Sequence, residues 1–126
     1  VKVRILVPGK KVDALVLRQA SRSEWGELLQ AGAAIYEYQP AMFHCKTMIV
    51  DSHLASVGST NFDNRSFRLN EEANLNVYDK AFAERLEDVF EEDLKQSRRI
   101  TYQSWKNRQW HAKVLETLSS FVSSQL

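Results

Sequence analysis

The order of β-prone and helical segments places the strongest limit on how this chain can fold. Residues 1–7 form a predicted buried strand, which a Pro-Gly pair ends. Apolar residues at helical spacing then run over 12–31, with Gly32 as the predicted stop, and a second strand follows over 33–38. Strands that alternate with helices are typical of layered α/β domains. We therefore expect an α/β fold in which helices flank a mixed β-sheet.

The same patterns continue to the end of the chain. Three more strands are predicted over residues 43–50, 53–57 and 73–78, and helices over 81–94 and over a terminal amphipathic segment, 103–126. A length of 126 residues suits one domain, so residues 1–126 are assigned to a single domain. Since the chain begins within a predicted strand, we expect the first strand and helix of the fold to lie upstream.

Composition excludes several classes of protein. Seventeen Lys and Arg against sixteen Asp and Glu leave a net charge of +1, which is poorly suited to a polyanion, so nucleic acid is not an expected partner. A single cysteine, Cys45, excludes an internal disulfide and a multi-cysteine zinc site. We expect no metal and no cofactor. The apolar runs are too short for a transmembrane helix.

A motif with six fixed residue types carries the chemistry. It has the form H-x-K-x4-D-x6-G-S-x-N, and a chance match to it in a chain of this length is on the order of one in a million. Its six positions are His44, Lys46, Asp51, Gly58, Ser59 and Asn61.

The residue types in this motif suit phosphate chemistry. On a strand, His44 and Lys46 project from the same face, while Cys45 points away and is predicted to be buried. The ammonium can hold anionic oxygens while the imidazole attacks phosphorus. Ser59 and Asn61 supply short hydrogen-bond donors at the end of the neighbouring strand.

The two remaining motif residues have structural roles in this interpretation. Gly58 lets the backbone come close to a bulky anion. Asp51 lies in the predicted turn between two strands. Its carboxylate there is better placed to accept hydrogen bonds from the loop than to take part in the reaction.

The motif is that of the phospholipase D superfamily, and the surrounding sequence resembles the C-terminal half of bacterial cardiolipin synthases. The resemblance runs from Val1 to about Trp110. The stretches that carry it are 5–10, 35–40, the run F-D-N-R-S-F-R-L-N over 62–70, Glu72, Asn74, Leu75, 77–79, and 97–99.

The resemblance implies a role for each motif residue. His44 is either the nucleophile or the general acid, and Lys46, Ser59 and Asn61 bind phosphate. Glu72 corresponds to the carboxylate that holds the motif histidine through its second ring nitrogen. Together His44, Lys46, Asp51 and Glu72 make up the implied catalytic set.

The implied reaction is a phosphatidyl transfer through a covalent phosphohistidine. Two phosphatidylglycerol molecules give cardiolipin and glycerol, without a metal or cofactor. The implied partners are the phospholipid substrate and a membrane surface, and the implied location is the bacterial inner membrane, at its cytoplasmic face or peripheral to it.

The superfamily site needs two copies of the motif, and this chain has one. The second is expected from an N-terminal motif half of the same protein or from a homodimer partner. The isolated chain is therefore expected to be inactive. Two alternatives stay open: a homodimeric phosphodiesterase, either a phospholipase D-like hydrolase or a nuclease, and a non-catalytic membrane-docking module. The segment 103–126 is either a helix packed on its own domain or an interfacial helix at the membrane.

Overall fold

The computed structural model describes residues 1–9, 22, 25–61 and 71–107. The terminal segment beyond residue 107, the run over 62–70 and residues 12–21 of the predicted helical stretch lie outside the described residues. In the described part, the elements are β1 (Arg4–Pro8), a helical segment over residues 25–30, β2 (Ala34–Tyr38), β3 (Thr47–Val50), β4 (Leu54–Gly58), β5 (Asn74–Tyr78), α1 (Lys80–Lys95), β6 (Ser97–Ile100) and α2 (Tyr102–Lys106).

The strands belong to two compact units. The first comprises residues 1–43 and 96–126, and the second comprises residues 44–95. The first unit has a sheet in the order β1–β2–β6, with β1 parallel and β6 antiparallel to β2. The second has an antiparallel sheet in the order β3–β4–β5. The predicted α/β class with a mixed sheet is thus confirmed, while the assignment of all 126 residues to one domain stays a prediction.

The core of the first unit lies on one face of its sheet. Ile35 and Ile100 pair directly across β2 and β6, and they are 1% and 5% exposed. Trp25, from the helical segment, completes the cluster at 5% exposed, and Trp105 packs against it. This helical segment ends as predicted at Gly32, whose φ of +92° is the left-handed conformation that favours glycine after a helix.

The described part of the predicted terminal helix belongs to this core. The helix α2 starts at Tyr102 and is capped at Asn107. The indole Nε1 of Trp105 donates to the Arg22 carbonyl at 2.7 Å, and the ring stacks on Tyr102 at 5.7 Å between centroids. The start of the predicted segment therefore packs on the first unit, and the question of an interfacial helix remains for residues beyond 107.

Gly26 provides a test of this packing, because its Cα lies under the ring of Trp105. A Cβ at Gly26 would come within 2.3 Å of that ring. In an exposed helix Gly→Ala stabilises by about 1 kcal/mol. Here we expect Gly26→Ala to lower the free energy of unfolding by about 1–3 kcal/mol instead, because the ring must move. Denaturant unfolding of the chain measures the sign; a gain in stability would contradict the Trp105 contact.

The second unit is a hairpin and a strand that carry a helix. Asp51 and Ser52 have φ values of 49° and 54° in the turn between β3 and β4, as predicted for a turn at these residues. The helix α1 contacts all three strands, and its Asp79 cap accepts from the Phe82 amide at 2.7 Å. The Ser52 hydroxyl donates to both carboxylate oxygens of Glu87 at 3.0 and 2.9 Å, which ties the turn to α1.

Candidate active site

Strand register brings most of the motif to one edge of the second unit's sheet. In the hairpin, Thr47 pairs with Val57, and the Gly58 amide donates to the Lys46 carbonyl at 3.1 Å. The segment before β3 therefore lies beside the end of β4. His44 and Lys46 come from the first of these segments, and Ser59 follows the second.

Ser59 joins this edge to the segment that leads into β5. Its amide donates to the Ala73 carbonyl at 3.0 Å, and its hydroxyl accepts from the Ala73 amide at 3.1 Å. Glu72 is the residue before Ala73 and is half-buried. Two hydrogen bonds thus hold Ser59 and Ala73 together, although they are 14 positions apart in the sequence. Because Glu72 directly precedes Ala73, its backbone also lies near this edge.

The structure differs from the prediction at His44 to Lys46. The predicted strand over 43–50 begins only at Thr47, because its partner β4 ends at Gly58, opposite Lys46. Residues 44 and 45 have no backbone to pair with along β4, so the alternation of a strand does not apply to them. His44 and Cys45 are both exposed, and the prediction of a buried Cys45 is wrong.

Lys46 lies close to His44 in a different way. Its Nζ donates to the backbone carbonyl of His44 at 2.9 Å, and the residue is half-buried. An ammonium has three donors, and among the described residues this is the one hydrogen bond that Lys46 donates, so two donors can take another acceptor. This hydrogen bond holds a positive charge next to the backbone of the motif histidine.

Asp51 is a motif residue that lies away from this edge. It lies in the turn at the opposite end of β3, about 14 Å along the strand from Thr47 at roughly 3.4 Å per residue. Its carbonyl is 2.6 Å from Nδ1 of His53 within the same turn. This placement fits the interpretation of Asp51 as a turn residue and gives it no contact with a group bound at His44.

Asn74 is a residue at this edge to which the sequence reasoning gave no role in the site, although it is part of the sequence that resembles the family. A Cβ built on Gly58 would lie 1.9 Å from the Asn74 Oδ1, so the Asn74 side chain occupies the space beside Gly58. The same Oδ1 accepts from the Thr60 amide at 3.4 Å. The signal that could have found it is an asparagine at a strand position, since asparagine is depleted in strands.

The described residues contain no group of three or more histidine, cysteine or acidic side chains that could hold a metal ion. None of the helices in that part of the chain is long and apolar enough to cross a membrane. What the edge does combine is an exposed imidazole, an ammonium, a hydroxyl and a nearby carboxylate. These are the groups needed for nucleophilic attack on a phosphodiester and for stabilising the anionic oxygens.

Comparison with known proteins gives consistent matches. The family described as "Cardiolipin synthase, PLD-like domain" matches residues 1–94. The major cardiolipin synthase ClsA of Bacillus subtilis is 42% identical over 123 residues, which cover 98% of this chain and 25% of the relative. A cardiolipin synthase of Geobacillus is 44% identical over 124 residues, covering 98% of this chain and 24% of the relative. The chain thus spans about a quarter of the length of these relatives.

A solved structure shows a similar fold. The phospholipase D family member Nuc of Salmonella typhimurium superposes with a TM-score of 0.69 at 20% sequence identity. The match covers 80% of this chain and 65% of that chain.

Proposed function

Because the chain belongs to the cardiolipin synthase, PLD-like domain family, we propose that it forms one motif half of a phosphatidyltransferase active site. The reaction joins two phosphatidylglycerol molecules into cardiolipin and releases glycerol. The observation that carries the proposal is the sheet edge at which strand register gathers Lys46, Gly58, Ser59 and Ala73. His44 lies two residues before Lys46, and Glu72 directly precedes Ala73.

The proposed first step is attack by a ring nitrogen of His44 on the phosphorus of phosphatidylglycerol. The bond from phosphorus to the oxygen of the headgroup glycerol breaks, and a histidine of the second motif gives that oxygen its proton, so that glycerol leaves. In the second step a hydroxyl of another phosphatidylglycerol attacks the phosphatidyl-histidine, loses its proton to the second histidine and releases His44. If the second motif's histidine is the nucleophile, His44 takes the acid and base role in the same two steps.

The other residues stabilise charge in this scheme. Two donors of the Lys46 ammonium bind the non-bridging phosphate oxygens, while the third stays on the His44 carbonyl. Ser59 and Asn61 add hydrogen bonds to the same oxygens. Glu72 accepts from the second ring nitrogen of His44, fixes the tautomer and stabilises the imidazolium.

The site is complete only with a second motif. We propose that it comes from an N-terminal motif half of the same protein or, failing that, from a second copy of this chain. Because the substrate is a lipid, the protein works at a membrane surface, and we place it peripherally at the bacterial inner membrane. Nucleic acid is not a proposed partner, since the net charge is +1.

Product analysis tests the proposal. We expect the protein expressed from its full reading frame to convert phosphatidylglycerol vesicles to cardiolipin plus glycerol, and the 126-residue chain alone to give neither. Chromatography of the extracted lipids measures both. Phosphatidic acid without cardiolipin would replace the transferase with a hydrolase.

Two other results would favour the remaining alternatives. Cleavage of DNA by the isolated chain, lost on His44→Ala, would point to a homodimeric nuclease. Binding to vesicles that weakens with salt, without turnover of any substrate by the full reading frame product, would point to a non-catalytic docking module.

A further inference from the structure

Asn74 links two parts of the motif edge that are far apart in the sequence. Its Oδ1 accepts from the amide of Thr60 at 3.4 Å, and Thr60 lies between Ser59 and Asn61. In the strand register Asn74 pairs with Gly58, so its side chain stands directly beside the segment that carries both of these residues.

The absence of a side chain at Gly58 makes this contact possible. A Cβ there would lie 1.9 Å from the Asn74 Oδ1, 2.2 Å from the Ala73 carbonyl oxygen and 2.7 Å from the Asn74 Cα. Real atoms do not approach this closely, so a larger residue at position 58 would displace Asn74. The glycine of the motif is therefore required by the backbone of Ala73 and Asn74 as well as by the Asn74 side chain, and the Asn74 contact needs a glycine at position 58.

The hydrogen bonds around this contact form a continuous set. On one side the Gly58 amide donates to Lys46, and on the other Ser59 and Ala73 exchange two bonds. The Asn74 bond to Thr60 adds a third attachment between the segments 58–61 and 72–74. These attachments hold residues 58–60, just before Asn61, against residues 73 and 74, just after Glu72.

We propose that Asn74 is a positioning residue, which acts through the Thr60 amide. It holds the segment 58–61, which carries the phosphate-binding Ser59 and Asn61, against the segment 72–74, which carries Glu72. This inference rests on the proposed function, which assigns phosphate binding to the first segment and the contact with His44 to Glu72 in the second. Asn74 need not touch substrate. Its effect falls on the transition state, because a displacement of about 1 Å in groups that bind developing charge can cost on the order of 100-fold in rate.

The chain offers a matched control at Asn76. It lies on the same strand and the same face as Asn74, two residues further from the motif edge, and is also exposed. It pairs with Ser56 in the middle of β4. Asn76→Ala and Asn76→Asp therefore make the same changes to β5 as Asn74→Ala and Asn74→Asp, but they do not affect the hydrogen bond to Thr60.

The first measurement is hydrogen exchange of the Thr60 amide by NMR in the 126-residue chain. We expect Asn74→Ala to speed this exchange about tenfold, since one hydrogen bond is lost. Asn74→Asp keeps an acceptor at the same place and should keep the protection. Asn76→Ala should leave Thr60 unchanged. Equal exchange in the wild type and Asn74→Ala would overturn the proposal.

The second measurement is the steady-state kinetics of the full reading frame product on phosphatidylglycerol vesicles. We expect Asn74→Ala to lower kcat by roughly ten- to a hundredfold with KM within about twofold. Asn74→Asp keeps the acceptor, so its kcat should be close to that of Asn76→Asp. The second variant controls for the added charge. Wild-type kcat in Asn74→Ala, or an equal loss in Asn76→Ala, would contradict the positioning role.

The two measurements separate the contact from the reaction. If the wild type turns over no phospholipid while Asn74→Ala still speeds Thr60 exchange, the proposed function fails and the attachment of the two segments stands. If the wild type is active and Asn74→Ala changes neither exchange nor kcat, the proposed function stands and the positioning role fails.

Discussion

Replacement of His44 by alanine is expected to lower cardiolipin formation by the full reading frame product by roughly 10³-fold or more. The imidazole is the exposed group at the motif edge that can attack phosphorus or protonate the leaving oxygen. Without it only binding and charge stabilisation remain, and these leave a small residual rate. Initial rates on phosphatidylglycerol vesicles, with the wild type and His44→Ala at equal concentration, measure the loss.

His53→Ala is the matched control for this experiment. His53 is the other histidine of the second unit, is exposed, and lies in the turn at the far end of β3 beside the Asp51 carbonyl. We expect it to keep the wild-type rate. Activity of His44→Ala within tenfold of wild type, or a comparable loss in His53→Ala, would reject the assignment of the chemistry to His44.

Replacement of Arg98 by alanine is expected to lower the free energy of unfolding by about 2–3 kcal/mol. Glu37 lies on β2 in the core of the first unit and is 0% exposed, and Nη2 of Arg98 donates to its Oε2 at 2.5 Å from the paired position on β6. Breaking a buried ion pair by removing one partner costs about 3–5 kcal/mol. We expect less, because the Arg98 side chain is 54% exposed and water can approach it.

Arg99→Ala controls for the loss of a surface charge. Arg99 is the next residue on β6, is exposed and lies on the opposite face of the sheet, since it pairs with Tyr36. It should change stability by less than about 0.5 kcal/mol. Urea unfolding of the two variants and the wild type gives the comparison. Equal midpoints for Arg98→Ala and Arg99→Ala would show that the Glu37 pair contributes no more than an ordinary surface charge.

Local sequence signals predicted much of the fold. The strand over 33–38, the helix stop at Gly32 and the turn at Asp51 and Ser52 all depend on a few neighbouring residues, and the structure has each of them. The α/β class was predicted on the same basis. These features follow from side-chain periodicity and from the backbone preferences of glycine and turn residues, which act over one or two turns of chain.

The ends of strands were predicted less well where they depend on the length of the partner strand. The strand before the hairpin starts at Thr47 and not at residue 43, because β4 ends opposite Lys46. That single difference exposes Cys45, which alternation along a longer strand had placed in the interior. No pattern within residues 43–50 contains this information, since it depends on the length of the partner.

The sequence by itself determined the residue types of the candidate site and the local elements that carry them. The spacing of the motif, the glycine at 58 and the turn residues are all properties of short stretches of chain. The tertiary structure decided which of these residues meet: Ser59 joins Ala73, Asn74 fills the space beside Gly58, and Asp51 goes to the far end of the hairpin. The physical reason is that register between strands is set by hydrogen bonds across the sheet, and a carboxylate such as Glu37 is buried only where folding brings an Arg98 to it.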